Sequence, residues 1–343
     1  MNKLTKYGVS ALCGSLAAIS PAIAGDLSVT GGIDMSWMSK ESETTGNPIG
    51  IGSNISFAGS GELDNGISFA LAIDHTNASA LSNARVTLTV PSLGDFRIDQ
   101  GLSGTGLDRF DDKTPNVWEE ANGTGLSTGI KTVAGASAGA GVEWTPNMMP
   151  DGLTAYLHYT PKADGSGAGD KASKVVNSSI GHGWDIAVEA DGSTVLGMDG
   201  LTVFAGMSSI EQGTIALDNK TGDRSQYTMG ANYAVGSFTI GYQYSRDNLQ
   251  NRTAGSTSFY ENDMYGITFQ INDDLSIGYN KISSNANNNG ADNVEAEVES
   301  VQIAYSMGGA SIRLAQANGD NLKYQTGAAY DRDATTLSVS LAF

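Results

Sequence analysis

Apolar residues alternate with polar or small ones along most of the chain from Asn54 onward. After the turn at 64–66, every second position is apolar at Ile67, Phe69, Leu71 and Ile73. The same period of two recurs at 86–90, 96–98, 142–144, 184–188, 227–235, 238–244, 265–271, 301–305, 312–314 and 337–343. Successive side chains on a strand point to opposite faces, so this pattern predicts half-buried β-strands joined by turns. No stripe with the helical period competes with it.

The connections between these segments alternate in length. Seven are short, at 64–66, 91–94, 146–152, 191–200, 235–237, 272–274 and 307–309. Eight are longer and polar, at about 38–51, 75–83, 103–136, 161–178, 211–223, 246–259, 283–295 and 317–333. These connections imply sixteen strands with both termini at the short-turn end, which is how bacterial outer-membrane barrels close. The sequence therefore predicts an all-β fold, a transmembrane antiparallel β-barrel of about sixteen strands.

The residues between the apolar positions decide which face of the wall meets lipid. They are polar or small, and they include Arg85, Arg97, Gln243, Gln302 and Arg313. An unpaired polar group costs about 1–3 kcal/mol in a dry core, so a soluble barrel filled with such residues is disfavoured. That cost disappears if the apolar side chains face lipid and the polar ones face a water-filled lumen. A ring of sixteen strands is also wide enough for an aqueous channel.

The N-terminus carries the features of a secretory signal peptide. Lys3 and Lys6 precede an apolar run at 9–19, and small residues lead to a cleavage site predicted after Ala24. A single membrane anchor is the alternative, but the run is shorter than the ~20 residues that a transmembrane helix needs. We therefore expect a signal peptide at 1–24 and one continuous barrel domain at 25–343.

Charge and cysteine content exclude several function classes. Removing the signal peptide leaves 17 of the 19 basic residues against 37 acidic ones, so the net charge moves from −18 to −20. A surface this acidic argues against nucleic acid as a partner. The only cysteine, Cys13, lies in the predicted signal peptide, so the mature chain has no disulfide and no thiolate metal site.

The longest predicted loop, at 103–136, combines clustered charge with apolar residues. Its carboxylates are Asp108, Asp111, Asp112, Glu119 and Glu120. A charge run is commonly a solvated surface, and that alternative stays open. However, the loop also carries Phe110 and Trp118, and a freely solvated loop has little use for either side chain.

Three features of the chain resemble the general, non-specific trimeric porins of Gram-negative bacteria, in particular the alphaproteobacterial branch. They are the signal peptide followed by a strand at Leu27, the segment DRFDDKTPNVWEE at 108–120 and the terminal SLAF. The resemblance implies an outer-membrane channel for passive diffusion of ions and small hydrophilic solutes, constricted by an inward-folded third loop. It also implies a homotrimer in contact with membrane lipid and lipopolysaccharide. The barrel assembly machinery would recognise Phe343.

The same resemblance implies opposed charges across the constriction. The candidates for its acidic side are Asp108, Asp111, Asp112, Glu119 and Glu120, with Phe110 and Trp118 as loop anchors. Arg85, Arg97 and Arg313 have inward parity on the fourth, fifth and fifteenth predicted strands, and are the candidates for its basic side. Opposed charges across a narrow wet gap create a transverse field that penalises apolar solutes. The acidic balance of the chain favours cations.

Other functions were weighed against this one. Asp74 is adjacent to His75, but neighbouring residues on a strand point to opposite faces, so they form no hydrolytic pair. We expect no enzymatic activity and no required cofactor. Clustered carboxylates such as those at 108–112 are ligands that Ca²⁺ prefers, so bound calcium is a further hypothesis. A substrate-specific uptake channel and a non-conducting structural or adhesive barrel stay open as alternatives.

Overall fold

The computed structural model of the protein describes residues 27–41, 46–63, 65–77, 83–100, 104–136, 140–164, 179–213 and 220–342. The predicted signal peptide at 1–24 and the predicted assembly signal Phe343 lie outside the described residues. Among the residues that are described, no helix is long and apolar enough to cross a membrane.

Sixteen antiparallel strands within the described residues form one closed barrel. They are β1 (Leu27–Lys40), β2 (Ile49–Glu62), β3 (Ser68–Thr76), β4 (Asn83–Val90), β5 (Gly94–Asp99), β6 (Gly141–Pro146), β7 (Leu153–Thr160), β8 (Gly183–Asp191), β9 (Leu201–Ile210), β10 (Arg224–Val235), β11 (Phe238–Asn248), β12 (Thr257–Gln270), β13 (Leu275–Asn288), β14 (Val294–Met307), β15 (Ala310–Asp320) and β16 (Arg332–Ala342). Each strand pairs with its sequence neighbours, and β1 closes the ring by pairing with β16. The predicted fold class and strand number are confirmed.

The connections alternate in length as predicted. At the short-turn end, β10 and β11 are joined by only Gly236 and Ser237. Gly236 has a φ of +58°, a left-handed conformation that glycine adopts without steric cost and that two-residue hairpin turns require. The β8–β9 connection is longer because it contains one helical turn, α1 (Gly192–Leu196). The Asp191 carboxylate caps α1 by accepting a hydrogen bond from the Ser193 backbone N–H at 3.1 Å.

The outer face of the barrel is apolar. Ile51 on β2 is 72% exposed, Val301 on β14 is 56% exposed and Ile240 on β11 is 47% exposed. A band of large apolar side chains this extensive is rare on a soluble monomer. It is the surface that lipid covers around a transmembrane barrel. The predicted packing, with apolar side chains outside and polar ones inside, is confirmed.

Tyrosines mark the end of the apolar band that is nearer the long loops. The Tyr242 hydroxyl donates to the Asp263 carboxylate at 2.5 Å, and the Tyr279 hydroxyl donates to the Glu299 carboxylate at 2.6 Å. Each ring continues the apolar band, while its hydroxyl reaches a carboxylate one step closer to the long loops. Amphipathic rings favour the boundary between hydrocarbon and headgroups. The outward-facing wall therefore becomes charged where it leaves the hydrocarbon.

Many inward-facing polar side chains are buried, and the prediction that they line open water was wrong for them. Asp185, Gln243 and Gln302 are each at most 1% exposed. They are covered by the long connection between β5 and β6, which folds into the barrel and hydrogen-bonds to all three. This connection is the predicted inward-folded third loop.

Candidate functional site

The described part of the β5–β6 connection, residues 104–136, lies against the inner wall and is called the inner loop below. Its outgoing half starts beside β6 at Gly106 and reaches β16, where the Thr124 carbonyl accepts a hydrogen bond from the Thr336 hydroxyl at 2.8 Å. Its returning half ends beside β8 at Ala136. The loop is therefore held on the side of the barrel that runs from β6 to β16, and the wall of β2 to β5 faces the lumen.

One carboxamide on each of five consecutive strands holds the backbone of the inner loop. The five are Gln226 on β10, Gln243 on β11, Asn262 on β12, Asn280 on β13 and Gln302 on β14. Gln302 accepts from the Glu119 N–H at 3.2 Å and donates to the Glu119 carbonyl at 2.5 Å. Gln243 likewise accepts from the Lys113 N–H and donates to the Phe110 carbonyl. A carboxamide offers one acceptor and one donor group, so it satisfies a peptide unit as a neighbouring strand would.

The sequence analysis did not identify these amides as anchors. Gln243 and Gln302 were recognised as inward-facing but were interpreted as pore lining. The available signal was that each of five consecutive strands carries a Gln or Asn at an inward position, among its hydroxyl, charged and small residues. Such a row indicates a peptide backbone lying across the strands.

Glycines on three adjacent strands give the inner loop room to approach the wall. Gly241, Gly266 and Gly278 face inward on β11, β12 and β13. A Cβ at Gly241 or Gly266 would overlap Pro115, and one at Gly278 would come within 3.1 Å of Val117. The absence of side chains at these positions thus creates a groove that fits the loop at 115–117.

A buried carboxylate closes the neck of the inner loop. Asp185 on β8 accepts from the Leu107 N–H at 3.1 Å, near the start of the loop, and from the Ala136 N–H at 3.0 Å, near its end. The Thr160 hydroxyl also donates to the Ala136 carbonyl at 2.7 Å. Hydrogen bonds to a charged group are stronger than neutral ones, at about 1.5–3 kcal/mol each. The two ends of the loop are therefore bound by the same residue.

The two predicted loop anchors differ in how they are placed. Phe110 is fully buried and packs on Phe204 of β9, with 5.1 Å between ring centroids. Trp118 is half-buried, and its backbone N–H donates to Gln302 at 3.2 Å. Phe110 thus contributes a side chain to an apolar cluster, whereas the contact at Trp118 is made by its backbone.

Three of the five predicted acidic residues come together in one cluster. Asp111, Asp112 and Glu120 interact through their side chains, and Asn116 donates to Glu120 at 2.7 Å. Burial first, and the neighbouring carboxylates second, raise the pKa of Asp111 and of Asp112 to about 7 and that of Glu120 to about 8. This acidic cluster therefore carries only part of its formal charge at neutral pH.

The other two predicted acidic residues interact electrostatically with the cluster and also have partners outside it. Asp108 accepts a hydrogen bond from the Gly104 N–H at 2.6 Å, and burial raises its pKa. Glu119 has an exposed side chain and is influenced electrostatically by Arg313 of β15 and Asp34 of β1. Glu119 is thus a predicted acidic residue that is influenced by a predicted basic one, but Arg313 lies on β15, on the loop's own side of the barrel and not on the opposite wall.

The three predicted basic residues are each paired with a carboxylate of the barrel wall. Arg85 lies 3.4 Å from Asp74, Arg97 lies 3.4 Å from Asp99, and Arg313 lies 3.9 Å from Asp34. All three arginines have the inward facing that the sequence predicts. Because their partners belong to the wall, their positive charge is largely neutralised. Arg85 and Arg97 lie on the wall that faces the loop, as expected, but Arg313 on β15 lies beside β14 on the loop's own side.

Two of the three cations of the inner loop are neutralised in the same way, whereas the side chain of the third, Lys131, is exposed. Arg109 lies 2.5 Å from the Glu143 carboxylate and stacks on Tyr156 with 3.5 Å between the guanidinium carbon and the ring centroid. Lys113 forms an ion pair with Glu189 of β8. Both side chains pair with carboxylates of the wall, so neither of them forms an ion pair with the acidic cluster.

Within the described residues, no group of three or more His, Cys, Asp or Glu side chains is arranged to hold a metal ion. The acidic cluster holds its carboxyl groups together by shared hydrogen bonds instead. Bound calcium stays a prediction.

A family model described as Gram-negative porin matches residues 8–272. No curated protein matches the chain.

Solved structures of outer-membrane proteins are similar to the chain in fold. Salmonella typhi OmpF, in a complex with daunomycin, has a TM-score of 0.66 and 12% identity, over 93% of this chain and 98% of that one. OmpT of Vibrio cholerae has a TM-score of 0.62 and 12% identity, over 93% and 98%. A mutant of Rh. blastica porin has a TM-score of 0.56 and 15% identity, over 92% and 100%. At these identities the likeness shows the fold alone.

The raised pKa values in the acidic cluster predict a pH-dependent charge on the inner loop. Below pH 6 its three carboxyl groups are mostly protonated and neutral, and above pH 9 they are ionised. If the cluster borders a conducting path, cation preference should rise by about threefold or more between pH 6 and pH 9 in dilute salt. Reversal potentials in a KCl gradient measure this. The double variant Asp111→Asn, Asp112→Asn should flatten the pH profile, and a flat wild-type profile would contradict the prediction.

The glycine groove predicts a steric effect on the inner loop. In Gly266→Val the new side chain overlaps Pro115 and pushes the loop away from the wall into the lumen. We expect a lower single-channel conductance and a loss of about 1–3 kcal/mol of stability. Gly222→Val is the matched control, because a Cβ there meets nothing within 4 Å. Equal conductance of the two variants would show that the loop is not held in this groove.

Proposed function

This chain belongs to the Gram-negative porin family, and we propose that the lumen between the inner loop and the wall of β2 to β5 is its path for diffusing ions and small hydrophilic solutes. The observation that carries this is the exposure of charged side chains that point inward. The side chain of Arg85 is 39% exposed and that of Asp34 is 48% exposed. Solvent therefore reaches the inner wall on the side that the loop leaves open.

The inner loop narrows this path without blocking it. Its hydrogen bonds to Gln243 and Gln302 hold it on the far wall. The Glu119 and Lys131 side chains of the loop are exposed, and the acidic cluster is half-buried. Charged groups on both sides of a narrow aqueous gap favour hydrated ions and polar solutes over apolar ones. We propose that the loop is the constriction of the channel.

Family membership indicates a channel rather than an enzyme. Three side chains of the wall are arranged like the carboxylate, imidazole and hydroxyl of a hydrolase site. His158 Nδ1 lies 3.4 Å from Asp185, and His158 Nε2 lies 3.5 Å from the Thr160 hydroxyl. All three residues are at most 2% exposed, and Thr160 and Asp185 bind the inner loop. A substrate has no access to this group, so it supports the neck of the loop and not a reaction.

We propose that the protein is a homotrimer whose subunits touch through the wall around β1 and β16, with lipid and lipopolysaccharide around the remaining surface. The proposal rests on the family and on the strongly apolar outer face of this side, where Ile49 and Ile51 are 61% and 72% exposed. Insertion by the barrel assembly machinery, with Phe343 as its signal, belongs to the same proposal.

The channel proposal predicts stepwise currents. The purified full chain, added to a planar lipid bilayer in KCl, should produce discrete conductance steps that grow in proportion to salt concentration. A protein heated until its strands unfold is the control and should produce none. Absence of steps from folded protein would favour a structural or adhesive barrel. Saturable block by a single solute would favour a substrate-specific channel.

The trimer proposal predicts a heat-dependent change in gel migration. Unheated protein in detergent should migrate at about three times the mass of the heated chain, because the subunit contacts survive detergent until the barrels unfold. Chemical cross-linking before heating should preserve a band of that size. A single monomer band in heated and unheated samples, with no cross-linked trimer, would contradict it.

A further inference from the structure

The connection between β15 and β16 folds into the barrel and reaches the inner loop. It consists of residues 321–331 and is called the strap below. Leu322 of the strap is fully buried in an apolar cluster that it shares with two residues of the inner loop, Ala121 and Leu126. The cluster is completed by residues of the wall, which are Met264, Ile282, Val298, Ala317 and Ala334.

These wall residues are an exception to the polar lumen. All five face inward, one on each of the consecutive strands β12 to β16. Removing apolar side chains from water lowers the free energy, so an apolar area inside an aqueous lumen favours a cover. Leu126 and Leu322 supply that cover together. Burial of the same area therefore brings the inner loop and the strap onto one part of the wall.

A glycine of the wall gives Leu322 its position. A Cβ at Gly319 of β15 would lie 2.7 Å from Cδ2 of Leu322 and 3.2 Å from its Cγ. The Leu322 side chain therefore occupies the space that any larger residue at position 319 would need.

Hydrogen bonds join the strap to the returning half of the inner loop. The Lys323 N–H donates to the Thr128 carbonyl at 2.7 Å, and the Lys131 N–H donates to the Tyr324 hydroxyl at 2.8 Å. The wall contributes Asn262, whose side chain donates to the Lys131 carbonyl at 3.0 Å. The outgoing half is held by the amides of the wall, whereas the returning half owes two of these three bonds to the strap.

The backbone of the strap is strained. Asn321, Lys323 and Tyr324 have φ values of +49°, +61° and +56°, in the left-handed region that residues other than glycine rarely adopt. Such residues persist only where the surrounding contacts hold them. Residues 325–329, which follow directly, are exposed. Strain thus favours release of the strap and burial of Leu322 opposes it, which is the balance that a two-state element requires.

We propose that the strap acts as a latch that keeps the channel open. While Leu322 is buried, the strap holds the returning half of the inner loop against the wall. On release, residues 126–131 lose two hydrogen bonds and part of their apolar cover. Because the closed wall surrounds them, they can move only into the lumen, where they obstruct the path. This inference rests on the proposed function, since it concerns how the same path closes.

Amide hydrogen exchange of the folded full chain in detergent tests the strap without reference to current. Leu322→Ala and Gly319→Ala should each speed exchange in peptides covering residues 126–131 by about tenfold or more, because the loss of a buried leucine contact favours local opening by at least that factor. Peptides covering residues 110–120, which the wall amides hold, should exchange as in wild type.

Each variant has a matched control. Leu314→Ala makes the same change as Leu322→Ala, but on the lipid-facing side of β15. Gly222→Ala is the control for Gly319→Ala, because a Cβ at Gly222 meets nothing within 4 Å. Both controls should leave the exchange of residues 126–131 at the wild-type rate.

Single-channel currents in planar bilayers test the consequence of release. Under an applied voltage, Leu322→Ala and Gly319→Ala should spend about threefold more time than their controls in states of reduced conductance. A disulfide between Thr128→Cys and Lys323→Cys, whose backbones are joined by a hydrogen bond, should have the opposite effect. The oxidised form should exchange more slowly and suppress these states, and reduction should restore both.

The outcomes distinguish this inference from the channel proposal. Equal exchange in Leu322→Ala and Leu314→Ala would show that the strap does not hold the loop, and faster exchange with unchanged currents would show that release does not close the path. If Leu322→Ala does not fold, equal behaviour of the oxidised and reduced disulfide variant would overturn the inference instead. A wild type that carries no current would refute the channel, while the exchange comparison would still decide whether the strap holds the loop.

Discussion

Backbone hydrogen bonding in lipid is the constraint on which the rest of this structure depends. Hydrocarbon offers no partner to a free N–H or C=O group, so a sheet that crosses a membrane has to close on itself. Here β1 closes onto β16 in continuous register from Gly32 opposite Ala342 to Lys40 opposite Ala334. Once the ring is closed, its outer face has to be apolar, and the alternate residues necessarily point into the enclosed space. The polar lumen is thus a consequence of the period of two combined with closure.

The same requirement applies to the peptide chain that enters the lumen. A loop pressed against a wall loses water from one side, and its peptide groups need partners there. The wall supplies them through the row of amides from Gln226 to Gln302 and through Asp185 at the neck. The glycine groove brings the loop close enough for those bonds to form. The inward-facing polar residues therefore fall into two groups. One group hydrogen-bonds to the backbone of the inner loop, and the other is in contact with water.

This division marks how far sequence reasoning reaches. The strands and their number follow from local alternation and loop length, both of which are properties of adjacent residues. The face of the wall on which each side chain lies also follows from the alternation, and the Arg85, Arg97 and Arg313 side chains do point inward. Height along the strand and contacts across the lumen depend on the path of the loop, which no local pattern encodes. Gln302 and Arg85 have the same inward facing in the sequence, yet one is buried under a peptide and the other is exposed. Arg109 is part of the acidic segment in the sequence, but in the structure its guanidinium forms an ion pair with Glu143 of β6.

Anchoring of the inner loop and placement of a charged side chain meet at one residue. Gln302 satisfies the peptide of Glu119, and by fixing that peptide it also limits where the Glu119 carboxylate can reach. A charge on a flexible loop would average its field over many positions, whereas one on a fixed backbone acts on a defined part of the path. Asp34 is held by Ser338 in a comparable way. Ser338 and the Gln302 amide are neutral, so they hold the two carboxylates without cancelling their charge, whereas Arg313, 3.9 Å from Asp34, offsets part of the charge of Asp34. The wall arginines differ in that their partners, Asp74 and Asp99, do cancel it. A neutral partner thus fixes the orientation of a carboxylate and leaves its charge in place, whereas a charged partner fixes the orientation and offsets the charge.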